Sequence, residues 1–366
     1  MTQSINAPGG GPAGDHHLLV TGGAGFIGGA IVDAALARGW QVRVLDSLRR
    51  DVHGGLPVVD PRVQFVVGDV TDPGAVADAL RGIDVVCHQA AKVGLGVDFS
   101  DAPDYVHSNE VGTAVLLAGM TAAGIDRLVL ASSMVVYGEG SYRSSTGFAR
   151  PGPRNATDLD AGRFDPTDAV TGEQLEPVLV AEDDPLDPRN VYASSKLGQE
   201  YLATAWSRST TGRAAALRYH NVYGPGMPQN TPYAGVASLF RSALARGEAP
   251  TVYEDGRQRR DFVHVRDIAS ANLAAIDWTD GSPAGTFRPF NVGSGTVHTI
   301  GDMAEALSSA ANGPAPVVTG EYRLGDVRHI TASSERLRTE LGWSPSMSFA
   351  DGMREFATAP LRAAVL

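Results

Sequence analysis

A chain of 366 residues suffices for one large α/β domain or for two smaller ones. Its 30 Lys and Arg against 41 Asp and Glu leave a net charge of −11; this argues against general attraction to nucleic acid or anionic lipid, and an anionic ligand will need locally placed arginines. One cysteine, Cys87, excludes a disulfide framework or zinc-ribbon site and fits a reducing compartment, and no segment reaches the ~18 consecutive apolar residues of a membrane span.

Residues 1–14 carry neither the basic nor the apolar stretch of a secretion signal; they read as a disordered tail, and the expected location is the cytoplasm. From there, short apolar runs alternate with helical patterns. His17–Thr21 reads as a first strand, Phe26–Arg38 as a helix, and Gln41–Asp46 and Val63–Val67 as strands two and three. Pro73–Arg81 reads as a helix, Asp84–His88 as a fourth strand, Ala102–Ala123 as a longer helix and Arg127–Ser132 as a fifth strand. Such alternation predicts right-handed crossovers and a parallel sheet buried on both faces. Residues 139–190 lose apolar periodicity and read as a long irregular excursion, functional or mobile. Helices then follow at Val191–Arg208, Val236–Arg246, Val265–Trp278, Ile300–Ala311 and Ser333–Leu341, with strands at Arg213–Tyr219, Pro250–Tyr253 and Phe287–Val292. The expected fold is α/β: a doubly wound parallel sheet starting in residues 15–190, completed within 191–366 and interleaved there with a smaller C-terminal lobe.

Thr21-Gly22-Gly23-Ala24-Gly25-Phe26-Ile27-Gly28 links the first strand to the first helix. Glycines at 22, 25 and 28 permit a tight turn, close approach to a pyrophosphate and helix-on-strand packing, and the helix start at Phe26 and Ile27 offers unpaired N–H groups to phosphate. An ordinary glycine-rich turn is the alternative; the strand-to-helix setting argues for a dinucleotide. Asp46 closes strand two about 20 residues on, where a carboxylate accepts from ribose hydroxyls and repels a 2′-phosphate. NAD is therefore favoured over NADP, although Arg49 and Arg50 soften the preference and a plain turn aspartate is the other reading. Asp69 and Val70 belong beside the adenine, and Ala90 and Ala91 beside phosphates and ribose, because ligands lie at the carboxyl ends of strands.

Tyr192-Ala-Ser-Ser-Lys196 opens a helix with phenol and ammonium on one face. A free phenol titrates near 10, too high for a base at neutral pH; a neighbouring ammonium, with the cationic nicotinamide ring, should favour the phenolate and bring it toward the working range. Ala131-Ser132-Ser133-Met134-Val135-Val136-Tyr137-Gly138 ends strand five, placing hydroxyls where active sites form.

Together with Gly68-Asp69, Arg218-Tyr-His-Asn-Val-Tyr-Gly-Pro225 and Arg260-Asp-Phe-Val-His-Val265, these motifs resemble the extended short-chain dehydrogenase/reductase superfamily, and within it the nucleotide-sugar epimerase/dehydratase family, over residues 17–345. The resemblance implies a Rossmann fold, a sugar-nucleotide lobe, a firmly held NAD and a homodimer. It also implies Tyr192 as base, Lys196 as its partner and ligand of the nicotinamide ribose, and Ser133 as holder of the substrate hydroxyl. Asn109 is expected to face the cofactor and Asn221 the sugar diphosphate. Arg260 and Arg323 should clamp that diphosphate, with Asp326 near the nucleotide ribose.

Dehydratases of this family carry an Asp-Glu pair where this chain has Met134 and Val135, and decarboxylating members carry a glutamate at Val135. Both activities are disfavoured. C4 epimerisation of a dTDP- or UDP-hexose and reduction of a 4-keto sugar remain open. The sequence looks most like dTDP-L-rhamnose 4-epimerase-type and UDP-glucose 4-epimerase-like members, which leans toward epimerisation of a dTDP-6-deoxyhexose. A dinucleotide-sensing regulator without catalysis is the reading from another class; retention of Tyr192, Lys196 and Ser133 argues against it.

Other residues have plainer readings. His88 reads as a satisfied core histidine and Cys87 as a buried filler. His220, His264 and His329 are too scattered for a metal site, and none is expected. Arg143, Arg150, Arg154 and Arg163 read more readily as a solvated loop than as substrate contacts.

Overall fold

The first strand, β1 (His17–Thr21), buries both faces: Leu18 and Val20 enter one apolar core and Leu19 another. That is how a strand inside a parallel sheet behaves. The computed structural model describes residues 16–50, 52–53, 57, 59–94, 98–229 and 235–362; the expected tail at 1–14 lies outside them. A glycine loop leads into α1 (Phe26–Ala37), followed by β2 (Gln41–Asp46), β3 (Gln64–Val67), α2 (Pro73–Ala79) and β4 (Val85–His88). Next come α3 (Ala102–Tyr105), α4 (Gly112–Ala123) and β5 (Arg127–Ser133). The excursion holds β6 (Ser141–Ser144), β7 (Gly147–Ala149), α5 (Ala156–Asp160) and β8 (Glu176–Val178). After α6 (Val191–Ser209) and β9 (Arg213–Tyr219) follow β10 (Asn221–Tyr223), α7 (Val236–Ala245), β11 (Thr251–Val252), β12 (Arg259–His264), α8 (Val265–Gly281) and β13 (Phe287–Val292). The chain ends through β14 (Val297–Thr299), α9 (Ile300–Ala310), β15 (Val317–Val318), α10 (Glu335–Leu341) and α11 (Phe349–Thr358).

Seven parallel strands form one sheet in the order β3-β2-β1-β4-β5-β9-β13. The doubly wound α/β expectation is met: α1 and α8 cover one face, and α2, α4 and α6 the other. Strand order reverses between β1 and β4, which opens a crevice at their carboxyl ends. Each fully buried Leu, Ile or Val in these cores contributes about 1.5–3 kcal/mol. A third core, built on Tyr223, Phe240, Phe262, Met303, Leu307 and Phe356, holds a smaller lobe together.

Two expectations need correction. The helix expected over 102–123 is interrupted by a π-helical segment, Val106–Val111, which turns Asn109 fully inward. Such a segment adds a residue to one turn and leaves the apolar period nearly intact, so periodicity does not reveal it. The excursion is not irregular: β7, β6 and β8 form an antiparallel sheet. Its strands are too short to display alternation, and polar groups hold it. Arg328, at 0% exposure, pairs with Asp165 at 2.6 Å, Glu254 at 2.8 Å and Asp255 at 2.7 Å. Glu139 accepts from the backbone N–H of Arg328 at 2.9 Å and from the Tyr142 hydroxyl at 2.7 Å. Deleting one partner from a buried network of this kind costs about 3–5 kcal/mol.

Candidate active site

At the crevice, Gly22 has φ +69, and a Cβ on it would lie 2.7 Å from Ala90 N. A Cβ on Gly28 would lie 2.2 Å from the Gly22 carbonyl oxygen. Gly25 caps α1 in extended conformation with no side chain over the helix start. The first N–H groups of α1, from Phe26 and Ile27 onward, thus have no capping side chain, and the cradle fits a pyrophosphate. Asp46 is buried at the end of β2; its carboxylate accepts from Ala24 N at 3.0 Å and Leu48 N at 2.9 Å. It therefore holds the glycine loop. Arg49, expected to soften the preference for NAD, pairs with Asp104 at 2.9 Å, which offsets its charge.

The neighbouring expectations divide. Asp69 is exposed and accepts from Thr71 N and the Thr71 hydroxyl, whereas Val70 is buried in a core against Gly112. Ala90 N donates to the Thr21 hydroxyl, and Ala91 is half-buried next to it. Asn109 does not present its amide to a cofactor. Its Oδ1 accepts from Lys92 N at 2.7 Å, and its Nδ2 donates to Lys92 O and the Ser195 hydroxyl. The π-helical segment turns it inward, so it ties the loop after β4 to α6 instead.

Ser133 ends β5 with its hydroxyl near the Tyr192 phenol, which α6 projects from its first turn. The Tyr105 ring lies 6.2 Å from that of Tyr192, with Lys92 Nζ 5.0 Å over Tyr105. Lys196 is buried and donates to Ala131 O at 2.9 Å. The expected lowering of the phenol is not what the protein alone provides. Burial pushes Tyr192 up to about 12, with the nearby Ser133 hydroxyl opposing it. Burial also pulls Lys196 down to about 7 against the charge of Glu200. Desolvation is the larger influence on each group. Met134, packed against a core, and Val135 follow Ser133 and carry no titratable group.

At the far end lie Asp326, Arg323, Arg260 and Asn221, the residues expected at the nucleoside diphosphate. Burial pushes the Asp326 carboxyl up, against the charges of Arg323, Arg260 and Arg154. Arg323 lies over the Tyr253 ring at 5.2 Å and lines an open cleft with Tyr253, Tyr322, Leu159 and Asp160. Arg260 differs from expectation: its terminal nitrogens donate to the carbonyls of Arg259, Arg328 and Val327 at 2.7–2.9 Å. It contributes charge and pins the segment before Arg328, because β12 sets it under that turn. Asn221 Oδ1 is buried without a partner among the described residues, as are both ring nitrogens of His220. Sequence reasoning gives His220 no role at the site; its one signal is its place next to Asn221. Arg154 also departs from the solvated-loop reading, being enclosed and paired with Glu254 at 2.7 Å.

His88 is a satisfied core histidine, bonded to the Thr21 and Thr113 hydroxyls at 2.7 and 2.9 Å. Burial pulls both His88 and His220 down to about 3, and pushes the buried Cys87 thiol up to about 12. Folded, both rings stay neutral to about pH 3; unfolded, they take protons near 6.5. The unfolded chain binds more protons across that window, so stability falls as pH drops through it. His220→Gln should reduce this dependence by about 1.4 kcal/mol per pH unit, read from urea unfolding between about pH 4 and 6. An unchanged slope contradicts the neutral buried ring. Among the described residues, no cluster of three or more His, Cys, Asp or Glu could hold a metal ion, and no helix is long and apolar enough to cross a membrane.

Comparison with known proteins agrees with this geometry. Residues 18–156 and 166–293 match the NAD dependent epimerase/dehydratase family. A dTDP-L-rhamnose 4-epimerase of Burkholderia thailandensis is 35% identical, over 93% of this chain and 94% of its own. A dTDP-glucose 4,6-dehydratase of Streptomyces niveus is 31% identical, over 92% and 90%. The crystal structure of a Thermus thermophilus UDP-glucose 4-epimerase in complex with NAD has a TM-score of 0.72 at 30% identity, covering 93% of this chain and 97% of that one. The seven-stranded sheet, the glycine cradle and these matches lead to one conclusion: the chain is an NAD-dependent enzyme and belongs to the NAD dependent epimerase/dehydratase family.

Proposed function

We propose that this enzyme inverts C4 of a nucleotide-activated hexose, a dTDP-6-deoxyhexose or a close relative, through a transient 4-keto sugar. The observation that carries the reading is the nearness of the Ser133 hydroxyl at the end of β5 to the Tyr192 phenol on α6, with Met134 and Val135 following Ser133. Eliminating water from the sugar needs a further acid and base, which those two side chains cannot supply. The 35% identity to a dTDP-L-rhamnose 4-epimerase supports the same choice.

Ser133 holds the C4 oxygen while Tyr192, as the phenolate that the cationic nicotinamide ring would favour, takes its proton and later returns it. Lys196, anchored on Ala131 O, sits one helical turn behind the phenol and positions the ribose of the cofactor. Arg323 and Asn221 hold the diphosphate, with the charge of Arg260 beside them, and Asp326 the nucleotide ribose, so the sugar itself is free to present its other face. NAD, held by the glycine cradle and Asp46, supplies the hydride acceptor and gives the hydride back, so none is consumed.

The test uses the enzyme as purified, incubated without added cofactor with dTDP-L-rhamnose and UDP-glucose, followed by product analysis. A C4 epimer is expected from one of them. A strict requirement for added NADPH and a 4-keto substrate overturns epimerisation in favour of a ketoreductase using the same residues. The reading includes a homodimer through the face exposing Phe99, Val106, Val111 and Tyr201, and the same preparation should sediment as two chains. Its proposed setting is the cytoplasm, in keeping with a single buried, unpaired cysteine.

A further inference from the structure

We infer that Arg154, carried by the excursion, is a third guanidinium of the diphosphate site and presents its Nε and Nη2 to the substrate's phosphate oxygens. This rests on the nucleotide-sugar reading and gives the excursion a role in it.

The Arg154 side chain is only 8% exposed. Its Nη1 donates to Glu254 Oε1 at 2.7 Å and to Asp326 O at 3.1 Å. Its Nε and Nη2 are buried with no partner among the described residues. A guanidinium has five donors and no acceptor, and each buried donor left unpaired costs about 1–3 kcal/mol. Protein groups have thus fixed one corner of the fork and left one whole edge bare. The Nε/Nη2 edge is the one that meets two oxygens of a phosphate in parallel.

Position selects the ligand. Arg154 Nη1 rests on the Asp326 carbonyl while Arg260 binds the carbonyls of Val327 and Arg328, so both guanidiniums flank the segment that follows Arg323. Arg260 has spent its terminal nitrogens on carbonyls, which leaves Arg154 with free donors where the anion arrives. Glu254 accepts Arg154 on one oxygen and Arg328 on the other. Arg328 in turn binds Asp165, so the excursion is locked in place before substrate arrives. Preorganisation of this kind reduces the ordering cost of binding.

The test is calorimetric titration of the NAD-loaded enzyme with dTDP and UDP, alongside steady-state kinetics. Arg154→Ala should weaken nucleoside diphosphate binding on the order of 10- to 100-fold and raise KM similarly, with kcat little changed and NAD retained. Arg154→Lys keeps the charge and the Glu254 contact but lacks the free edge, so it should lose most of the same affinity. Full affinity in Arg154→Lys, or in both variants, overturns the inference, because the residue then acts only through its ion pair. Should Arg154→Ala not fold, the Lys variant decides alone. Failure of the wild-type enzyme to bind either diphosphate removes the nucleotide-sugar reading and this inference with it.

Discussion

Tyr192→Phe is expected to lower kcat by about 10²- to 10⁴-fold, the usual contribution of a positioned general acid–base group. The substitution removes one oxygen and leaves the ring, its enclosure and its place 6.2 Å from Tyr105 unchanged. Bound NAD and KM should therefore change little, because the diphosphate end carries most of the binding. The loss belongs to the chemical step: without the phenol, the Ser133 hydroxyl has no group to which the C4 proton can pass. A substitution that lowers kcat and kcat/KM equally has removed an interaction made only in the transition state, and that pattern is expected here. Unchanged turnover would make the protein a non-catalytic dinucleotide binder. A matching rise in KM would instead assign Tyr192 to substrate binding.

Gly28→Ala should yield an enzyme that has lost at least about nine-tenths of its bound NAD and melts at a lower temperature, since forcing an extra methyl into a filled site costs roughly 1–3 kcal/mol or more. The added Cβ would lie 2.2 Å from the Gly22 carbonyl oxygen and 2.9 Å from Gly23 Cα, all backbone. Neither atom can swing aside as a side chain does. The loop must move, and the N–H groups at the start of α1 move with it. Gly29→Ala is the matched control: the nearest atoms to its Cβ would be Arg362 Nη2 at 3.5 Å and Gly23 O at 3.7 Å, ordinary contacts. It should keep its NAD and gain up to about 1 kcal/mol from helix propensity. Full NAD content in Gly28→Ala would show that the cradle does not depend on close packing at that glycine.

Features that follow from neighbouring residues were readable from the chain. Leu18, Leu19 and Val20 declare a strand buried on two faces because side chains alternate at period two. Gly22, Gly25 and Gly28 declare a phosphate cradle because only that residue tolerates the approach. Tyr192 and Lys196 share a helical face because four residues make about one turn. The missing Asp-Glu pair at Met134 and Val135 is likewise a local fact, and it narrows the chemistry without any coordinates.

What could not be read depends on distant partners. Arg154 looks like any loop arginine until Glu254, a hundred residues on, fixes one of its nitrogens and leaves an edge bare. Asn109 reads as a cofactor ligand until the π-helical segment turns it onto Lys92 and Ser195. The excursion shows no periodicity because Glu139, 189 residues from Arg328, holds it by hydrogen bonds instead of apolar stripes. Desolvation decides the proton affinities of Tyr192 and Lys196, and a sequence carries no measure of enclosure. Sequence alone therefore determined the sheet, the glycine loop between β1 and α1 and the shared helical face of Tyr192 and Lys196, which short-range spacing dictates. Only the tertiary structure decided which arginines keep free donors and how tightly each proton is held, because burial and pairing arise once remote segments meet.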